Sequence, residues 1–279
     1  MRPRIVNFLE NLYEMPSINY FVPTGRILYI AALSAIVLFF IHRCKQTGLP
    51  GNIAWGAILF GILGAMVGAR GFYLVQHLGY TLEHPESIWR LGGGTVSWGG
   101  YIGGLLCFLF YLRKEKALLL NYLDVLSSVL GLGPFIARWA CFLNGCCYGR
   151  PTDFPWGVQF PQNSFAYNTH LKAGFIERHD FLSLSVHPVQ IYSSVAGIFL
   201  FLITTYLWKR YREISGFTFL FYWLMYGIIR FVIEFFRGDG TRYTDFNLTF
   251  AQLIILIILP AVIAGFIYLF KGMKDTIKK

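Results

Sequence analysis

The chain has 279 residues, of which 56% are hydrophobic, 18% aromatic and only 14% charged, against roughly 25% charged in a soluble domain. With 27 Phe, 17 Tyr and a mean hydropathy of +0.53, this composition excludes a soluble enzyme, a disordered tail and a disulfide-rich secreted domain, leaving an integral membrane protein. A net charge of +10 would suggest a nucleic-acid partner in a soluble protein; in a membrane its meaning depends on where the cations sit, and no nucleic-acid partner is expected.

Residues 1–25 mix Asn, Glu, Pro and Tyr ahead of the first long apolar run at Ile27. A cleaved secretory signal is therefore not expected, and the stretch suits an amphipathic piece lying along the interface. Crossing a hydrocarbon core of about 30 Å takes about 20 apolar residues. Seven stretches come close enough to be candidates, at 26–43, 53–76, 97–113, 117–143, 187–208, 215–237 and 247–270. The third is short, and its Gly99, Gly100, Gly103 and Gly104 suit close approach to a neighbouring helix. The expected fold is an all-α integral membrane protein with seven transmembrane helices. No repeat, low-complexity tract or linker divides it, so 1–279 reads as a single polytopic domain.

The cations separate by loop. Arg43 and Lys45 follow the first span, Arg113, Lys114 and Lys116 the third, Lys209, Arg210 and Arg212 the fifth, and Lys271, Lys274, Lys278 and Lys279 the seventh. The positive-inside rule makes that side the cytoplasm, with the N-terminus outside and the C-terminus in the cytoplasm. Seven more (Arg2, Arg4, Arg90, Arg150, Lys172, Arg178 and Arg242) fall in outer segments. The outer segments 77–96 and 144–186 are long, and the second carries turn signals at Gly149-Arg150-Pro151 and Phe154-Pro155-Trp156-Gly157, which reads as a periplasmic head inserted at 144–186.

Five arginines remain inside or at the edge of a span: Arg26, Arg70, Arg138, Arg230 and Arg237. A cation within a span costs a few kcal/mol and tends to face a bundle interior or cavity with a partner. Arg26, Arg70, Arg138 and Arg230 fall at similar depth, toward the outer leaflet, where a phospholipid phosphate sits. Arg26 and Arg237 stand at span ends, where snorkelling to the interface is the simpler reading. Glu234 lies four residues after Arg230 and three before Arg237, a spacing that gives one helix face a neutralised ladder, which is either structural or functional. Arg138 has Asn144 beyond it, and Arg230 has Tyr226 one turn before. The planar guanidinium fork matches phosphate oxygens, so an anionic phosphate is the expected ligand. Asp124 and Gln190 are further polar groups within spans, suited equally to interhelical hydrogen bonds or to a site. His187, before Pro188, is either helix punctuation or a base near neutral pH.

Of five cysteines, Cys44 and Cys107 stand alone while Cys141, Cys146 and Cys147 cluster at the end of the fourth span. Cys141 pairs plausibly with Cys146 or Cys147 in an oxidising compartment, whereas the vicinal pair strains its own peptide. Three thiols can also ligate a metal, yet no fourth Cys or spaced His supplies a zinc-finger pattern. The order of readings is disulfide or packed thiol, then metal, then nucleophile. No metal or cofactor is expected.

Residues 138–149, R-W-A-C-F-L-N-G-C-C-Y-G, are similar to the signature G-R-x-G-N-F-x-N-x-E-x-x-G of the prolipoprotein diacylglyceryl transferases, with Arg138, Phe142, Asn144 and Gly149 fitting it. The chain also resembles that family in G-A-R at 68–70, G-G-x-x-x-x-G-G at 93–100, H-P-x-Q-x-Y at 187–192 and Y-G-x-x-R-x-x-x-E-F-F-R at 226–237, in the same order over nearly its whole length. It departs where Trp98 replaces a His, Cys141 an Asn, Cys146 a Glu, Ser193 a Glu and Thr24 a Tyr.

The resemblance implies a seven-span enzyme of the bacterial cytoplasmic (inner) membrane. It would move the diacylglyceryl group of phosphatidylglycerol to the lipobox cysteine thiol of a prolipoprotein signal peptide, the first step of lipoprotein maturation. On that reading Arg138, Arg230, His187 and Glu234 are the catalytic candidates, and Arg138, Arg70, Asn144, Gly149, Gln190 and Tyr226 the substrate-binding ones. With Trp98 unable to accept a proton, the base is His187 first, then Glu234, or the arginine field alone acting on the acceptor thiol. Two other readings stand beside it: a phospholipid-dependent membrane transferase with a different acceptor, and a non-enzymatic anion or lipid transporter.

Overall fold

A computed structural model describes residues 24–88, 97–115, 118–238 and 248–277. Arg2, Arg4, Arg90, Arg242 and the proposed amphipathic start lie outside the described residues, as do the side chains of Thr24 and Trp98. The helices are α1 (Thr24–Gln46), α2 (Gly51–Gln76), α3 (Leu78–Glu83), α4 (Ser97–Lys114), α5 (Leu119–Val129), α6 (Leu132–Asn144), α7 (Phe165–Lys172), α8 (Val189–Arg210), α9 (Phe217–Phe236) and α10 (Phe250–Ile277). Six stretches among the described residues are long and apolar enough to cross a membrane: Gly25–Gln46, Gly51–Gln76, Leu119–Asn144, Val189–Arg210, Phe217–Phe236 and Ala251–Lys271. Large apolar side chains such as Val67, Leu202, Ile257 and Tyr268 are exposed along them, as expected where lipid is the solvent and each helix satisfies its own backbone.

The third expected span exists as a helix but is not among those six. At 18 residues α4 is about 27 Å long, its four glycines and two tyrosines dilute its apolar character, and Arg113 and Lys114 occupy its last turn. The fourth span is one apolar stretch built from two helices, α5 and α6. Pro134 has no N–H and its ring crowds the carbonyl four residues back. The chain adjusts there, with Gly133 N–H donating to Leu130 O at 3.0 Å and Phe135 N–H to Gly131 O at 3.2 Å.

The chain divides into two compact units, Val37–Val125 and Met1–Ile36 with Leu126–Lys279. In Val37–Val125, α2 packs on α4 through glycine. A Cβ on Gly68 would strike the carbonyl of Gly99, and one on Gly103 the carbonyl of Gly64, so the two backbones touch as in small-residue membrane contacts. Tyr122 Oη donates to Pro50 O at 3.1 Å, and Phe40 packs edge-on to Phe108.

In the second unit, α8 crosses the α5–α6 junction at Gly131 and Gly197, whose missing side chains leave room for each other's backbone. Ser194 Oγ donates to Phe135 O at 2.7 Å and Thr204 Oγ1 to Ser128 O at 3.3 Å, so buried hydroxyls add interhelical bonds. The segment between α6 and α8 folds on a core of Phe142, Tyr148, Phe160, Ala166 and Val186. Isolated antiparallel pairs hold it, Pro151 and Val158 each with Val186, and Pro161 with Leu182. Ser164 caps α7 by accepting from Tyr167 N–H at 3.2 Å.

Candidate active site

The site grows from the C-terminal end of α6. Gly145 takes the left-handed conformation (φ 63°) that lets a helix stop sharply, and its N–H reaches back to the carbonyls of Cys141 and Phe142. Cys146 N–H donates to Cys141 O at 3.1 Å, and Cys147 is again left-handed, at φ 56°. Two reversals within three residues turn the chain back over the helix end. Gln190 on α8 fixes the turn by donating its Nε2 to Cys146 O at 2.8 Å, although only 1% of this glutamine is exposed. Among the described residues its Oε1 has no hydrogen-bond partner.

From that turn the backbone ties three distant motifs together. Gly149 N–H donates to His187 O at 3.0 Å, His187 N–H to Arg150 O at 3.0 Å, Arg150 N–H to Phe236 O at 2.8 Å and Gly238 N–H to Tyr148 O at 3.1 Å. Residues 145–152 are therefore clamped between the start of α8 and the end of α9. Asn144, at the last turn of α6, is exposed and lies against Gly25 of α1, where a Cβ would meet its Nδ2.

Around this clamp the arginines converge. On α9, Arg230 pairs with the buried Glu234, and Arg237 Nε stands 4.0 Å from the same carboxylate oxygen, Oε2. The ladder expected from the spacing is thus present. Arg138 on α6 interacts electrostatically with Cys147, Cys141, Arg237 and Tyr226, and Arg230 with Glu234, Arg237, Tyr226 and Arg138. Among the described residues, Glu234 pairs with Arg230 and Arg237, while Arg138 stands in electrostatic reach of both of those arginines. Arg237, whose end position suggested snorkelling, stands beside Glu234 as its i, i+3 spacing allows. Arg26 is exposed at the start of α1. Arg70 belongs to the Val37–Val125 unit, where its guanidinium stacks 5.4 Å from the Tyr73 ring centroid.

Beside the end of α9 lies an aromatic cavity of about 480 Å³, lined by Phe154, Trp156, His187, Tyr192, Ile233 and Phe236. Trp156 Nε1–H donates to Tyr192 Oη at 2.8 Å, and that hydroxyl is 3.2 Å from His187 Nδ1. The indole and phenol were not foreseen as partners of the histidine, being 31 and 5 residues from it in sequence. Ser193, where the resembled family has Glu, turns its hydroxyl to Val189 O at 2.8 Å.

All five cysteines are free thiols, and the sulfurs of Cys141, Cys146 and Cys147 all lie within 4.8 Å of one another. Tyr29 Oη on α1 is 3.2 Å from Cys141 Sγ. Outside the spans, the neighbouring Cys141 and Cys147 thiols, together with burial, push the Cys146 thiol upward.

Residues 25–270 match the family model for prolipoprotein diacylglyceryl transferase. The chain is 34% identical over 218 residues to the phosphatidylglycerol--prolipoprotein diacylglyceryl transferase of Clostridium tetani, covering 77% of this chain and 80% of that one. It is 31% identical over 240 residues to the protein of the same name from Thermotoga maritima, covering 84% and 77%, and 27% identical over 239 residues to that of Finegoldia magna, covering 85% and 86%. The chain belongs to the prolipoprotein diacylglyceryl transferase family.

Proposed function

We propose that this protein transfers the diacylglyceryl group of phosphatidylglycerol to the lipobox cysteine of a prolipoprotein signal peptide, in the bacterial inner membrane. The observation that carries the reading is the group Arg138, Arg230 and Arg237, within electrostatic reach of one another, with Glu234 pairing the last two. In the transfer, the acceptor sulfur forms a bond to the glycerol carbon while the bond from that carbon to the phosphate oxygen breaks. A singly charged phosphodiester becomes a glycerol phosphate with one more negative charge. Fixed guanidiniums bind the leaving group more strongly than the substrate, which is the condition for lowering the barrier. Glu234 holds Arg230 and Arg237 in place, and Tyr226 stands near both Arg138 and Arg230.

The thiol proton goes to a base, for which His187 is our assignment. If His187 Nδ1–H donates to Tyr192 Oη, Nε2 keeps the lone pair that accepts the proton. Gly149 and Gln190 position the signature turn, and Asn144 at its edge contacts substrate. The aromatic cavity beside His187 suits an apolar part of the lipid or signal peptide.

In the membrane we place the N-terminus and the head at 144–186 outside and the C-terminus in the cytoplasm. Supporting this, basic residues end α1 (Arg43, Lys45), α4 (Arg113, Lys114) and α8 (Lys209, Arg210). The orientation makes α4 the seventh crossing and the chain one polytopic domain.

Complementation of a strain depleted of its own diacylglyceryl transferase tests donor, acceptor and topology together, backed by transfer of labelled lipid to a lipobox peptide. The wild-type chain restores growth, and Arg138→Ala or Arg230→Ala inserts normally but loses about 10²-fold or more of the transfer. Full activity in both variants would overturn the proposal. Turnover of phosphatidylglycerol without complementation would instead assign a different acceptor.

A further inference from the structure

We propose that Cys141, Cys146 and Cys147 form a three-thiolate site for a thiophilic metal ion of the zinc class, with Tyr29 Oη or a water as fourth ligand. The sequence offers three thiols and no fourth ligand nearby. The fold supplies one from 112 residues away, because Tyr29 Oη lies 3.2 Å from Cys141 Sγ. Sulfurs bound at about 2.3 Å in a tetrahedral zinc site stand about 3.8 Å apart. Three sulfurs already within 4.8 Å of one another need shifts of an ångström or less to reach that arrangement.

The backbone explains how two vicinal thiols join a third. In an extended chain neighbouring side chains point to opposite faces, so Cys146 and Cys147 would not both meet Cys141. Left-handed Gly145 and Cys147, at φ 63° and 56°, bend the turn so that they do. Such a conformation is uncommon for a residue with a Cβ. A disulfide would use only two of the three sulfurs and would not require the third to be there.

The site is also held before any ion arrives. Cys146 O accepts from the buried Gln190, and Gly145 O accepts from Ala166 N–H at 3.1 Å. Cys141 is 6% exposed while Cys146 and Cys147 are half-buried, which leaves a way in. On binding, three thiols release three protons to solvent and three metal–sulfur bonds form, with no oxidation. A divalent ion with three thiolates carries one negative charge, and Arg138 lies in electrostatic reach of Cys141 and Cys147 to balance it. Bound metal would lock the turn between the end of α6, which carries Arg138 and Asn144, and Gly149.

The full chain, purified in detergent with a non-chelating reductant, is loaded with zinc(II) or cobalt(II). The expected result is about one ion per chain and a near-ultraviolet thiolate-to-cobalt charge-transfer band. Cys141→Ser, Cys146→Ser and Cys147→Ser each weaken binding at least tenfold, the triple variant abolishes the band, and Cys44→Ser and Cys107→Ser leave it unchanged. Metal-stripped wild-type protein melts at a lower temperature and recovers on reloading with zinc, a readout independent of whether the variants fold. Binding by the wild type no better than by the triple variant would overturn the proposal. So would a native disulfide between Cys141 and Cys146 or Cys147, found by alkylation and mass analysis of membranes quenched without added oxidant.

Discussion

Gly149 donates its amide to the carbonyl of His187 at 3.0 Å, and a Cβ placed on Gly149 would fall on that same carbonyl and on the His187 side chain. Absence of a side chain is thus what lets the α6 turn lie flat on the start of α8. Neither obstacle is the far end of a flexible chain, so the backbones would have to part. Gly149→Ala is expected to lower stability by about 1–3 kcal/mol, the cost of overpacking a closed contact, and to reduce transfer by displacing His187. Gly79→Ala is the control, since no described residue lies within 4 Å of a Cβ there. Melting temperature in detergent, measured beside activity, separates the two.

Glu234 is 4% exposed and pairs with Arg230, with Arg237 at 4.0 Å. Removing one partner of a buried pair leaves an uncompensated charge, typically at about 3–5 kcal/mol. Glu234→Gln should therefore destabilise the protein strongly in neutral lipid, and added phosphatidylglycerol or glycerol phosphate should restore part of the loss by supplying an anion. Thermal melts with and without these anions check this; equal destabilisation under both conditions would remove Glu234 from the phosphate site.

How much of this could be read from residues alone follows from the range of each interaction. The apolar helices were legible because hydropathy over about 20 residues is a local property; α4 was legible as a helix at 97–113 too, although its glycines dilute its apolar character below that of the six long stretches. The Arg230, Glu234 and Arg237 ladder was legible from the i, i+4 and i, i+3 arithmetic of a helix. The break at Pro134 lies inside an apolar run, where hydropathy does not register it, although proline's missing donor marks it. The contact of Tyr29 with Cys141 and the closure of Gly149 on His187 and Phe236 were not legible, since they join residues on different helices with no local periodicity to announce them.

The hydroxyl of Tyr192 joins Trp156 to His187. If that hydroxyl fixes which ring nitrogen carries the proton, Tyr192→Phe frees the imidazole to choose, while Phe keeps the aromatic wall of the cavity. The expected outcome is a lower kcat with little change in KM, and His187→Gln in the same background should lower it further. An unchanged kcat in Tyr192→Phe would show that this hydroxyl does not position His187.

His170 in α7 is 4% exposed; its Nδ1 accepts from Leu184 N–H at 3.3 Å and its ring stands edge-on to Tyr148. Burial holds its pKa below the ordinary value of 6.5, so near and below that pH the unfolded chain binds more protons at this residue than the folded one. Stability from this group is complete above pH 6.5 and is lost as the pH falls toward the folded pKa. Acid should loosen the segment between α6 and α8 first, seen as faster amide exchange at Leu184. His170→Asn should flatten that pH dependence between pH 7 and 5.

Where Gly68 meets Gly99 and Gly103 meets Gly64, each missing Cβ would otherwise sit on a carbonyl of the opposite helix. In lipid no hydrophobic drive holds helices together, so close backbone packing has to do it. Gly68→Val should push α2 from α4 and cost about 1–3 kcal/mol, whereas Gly71→Ala, on the same helix with no described residue within 4 Å of its Cβ, should gain up to about 1 kcal/mol of helix propensity. A cysteine pair at Ala65 and Gly100 reports the contact directly, because Gly100 lies against the Ala65 carbonyl: crosslinking should fall in the Gly68→Val background and persist with Gly71→Ala. Unchanged crosslinking and melting in Gly68→Val would mean that the glycines are not what brings these two helices together.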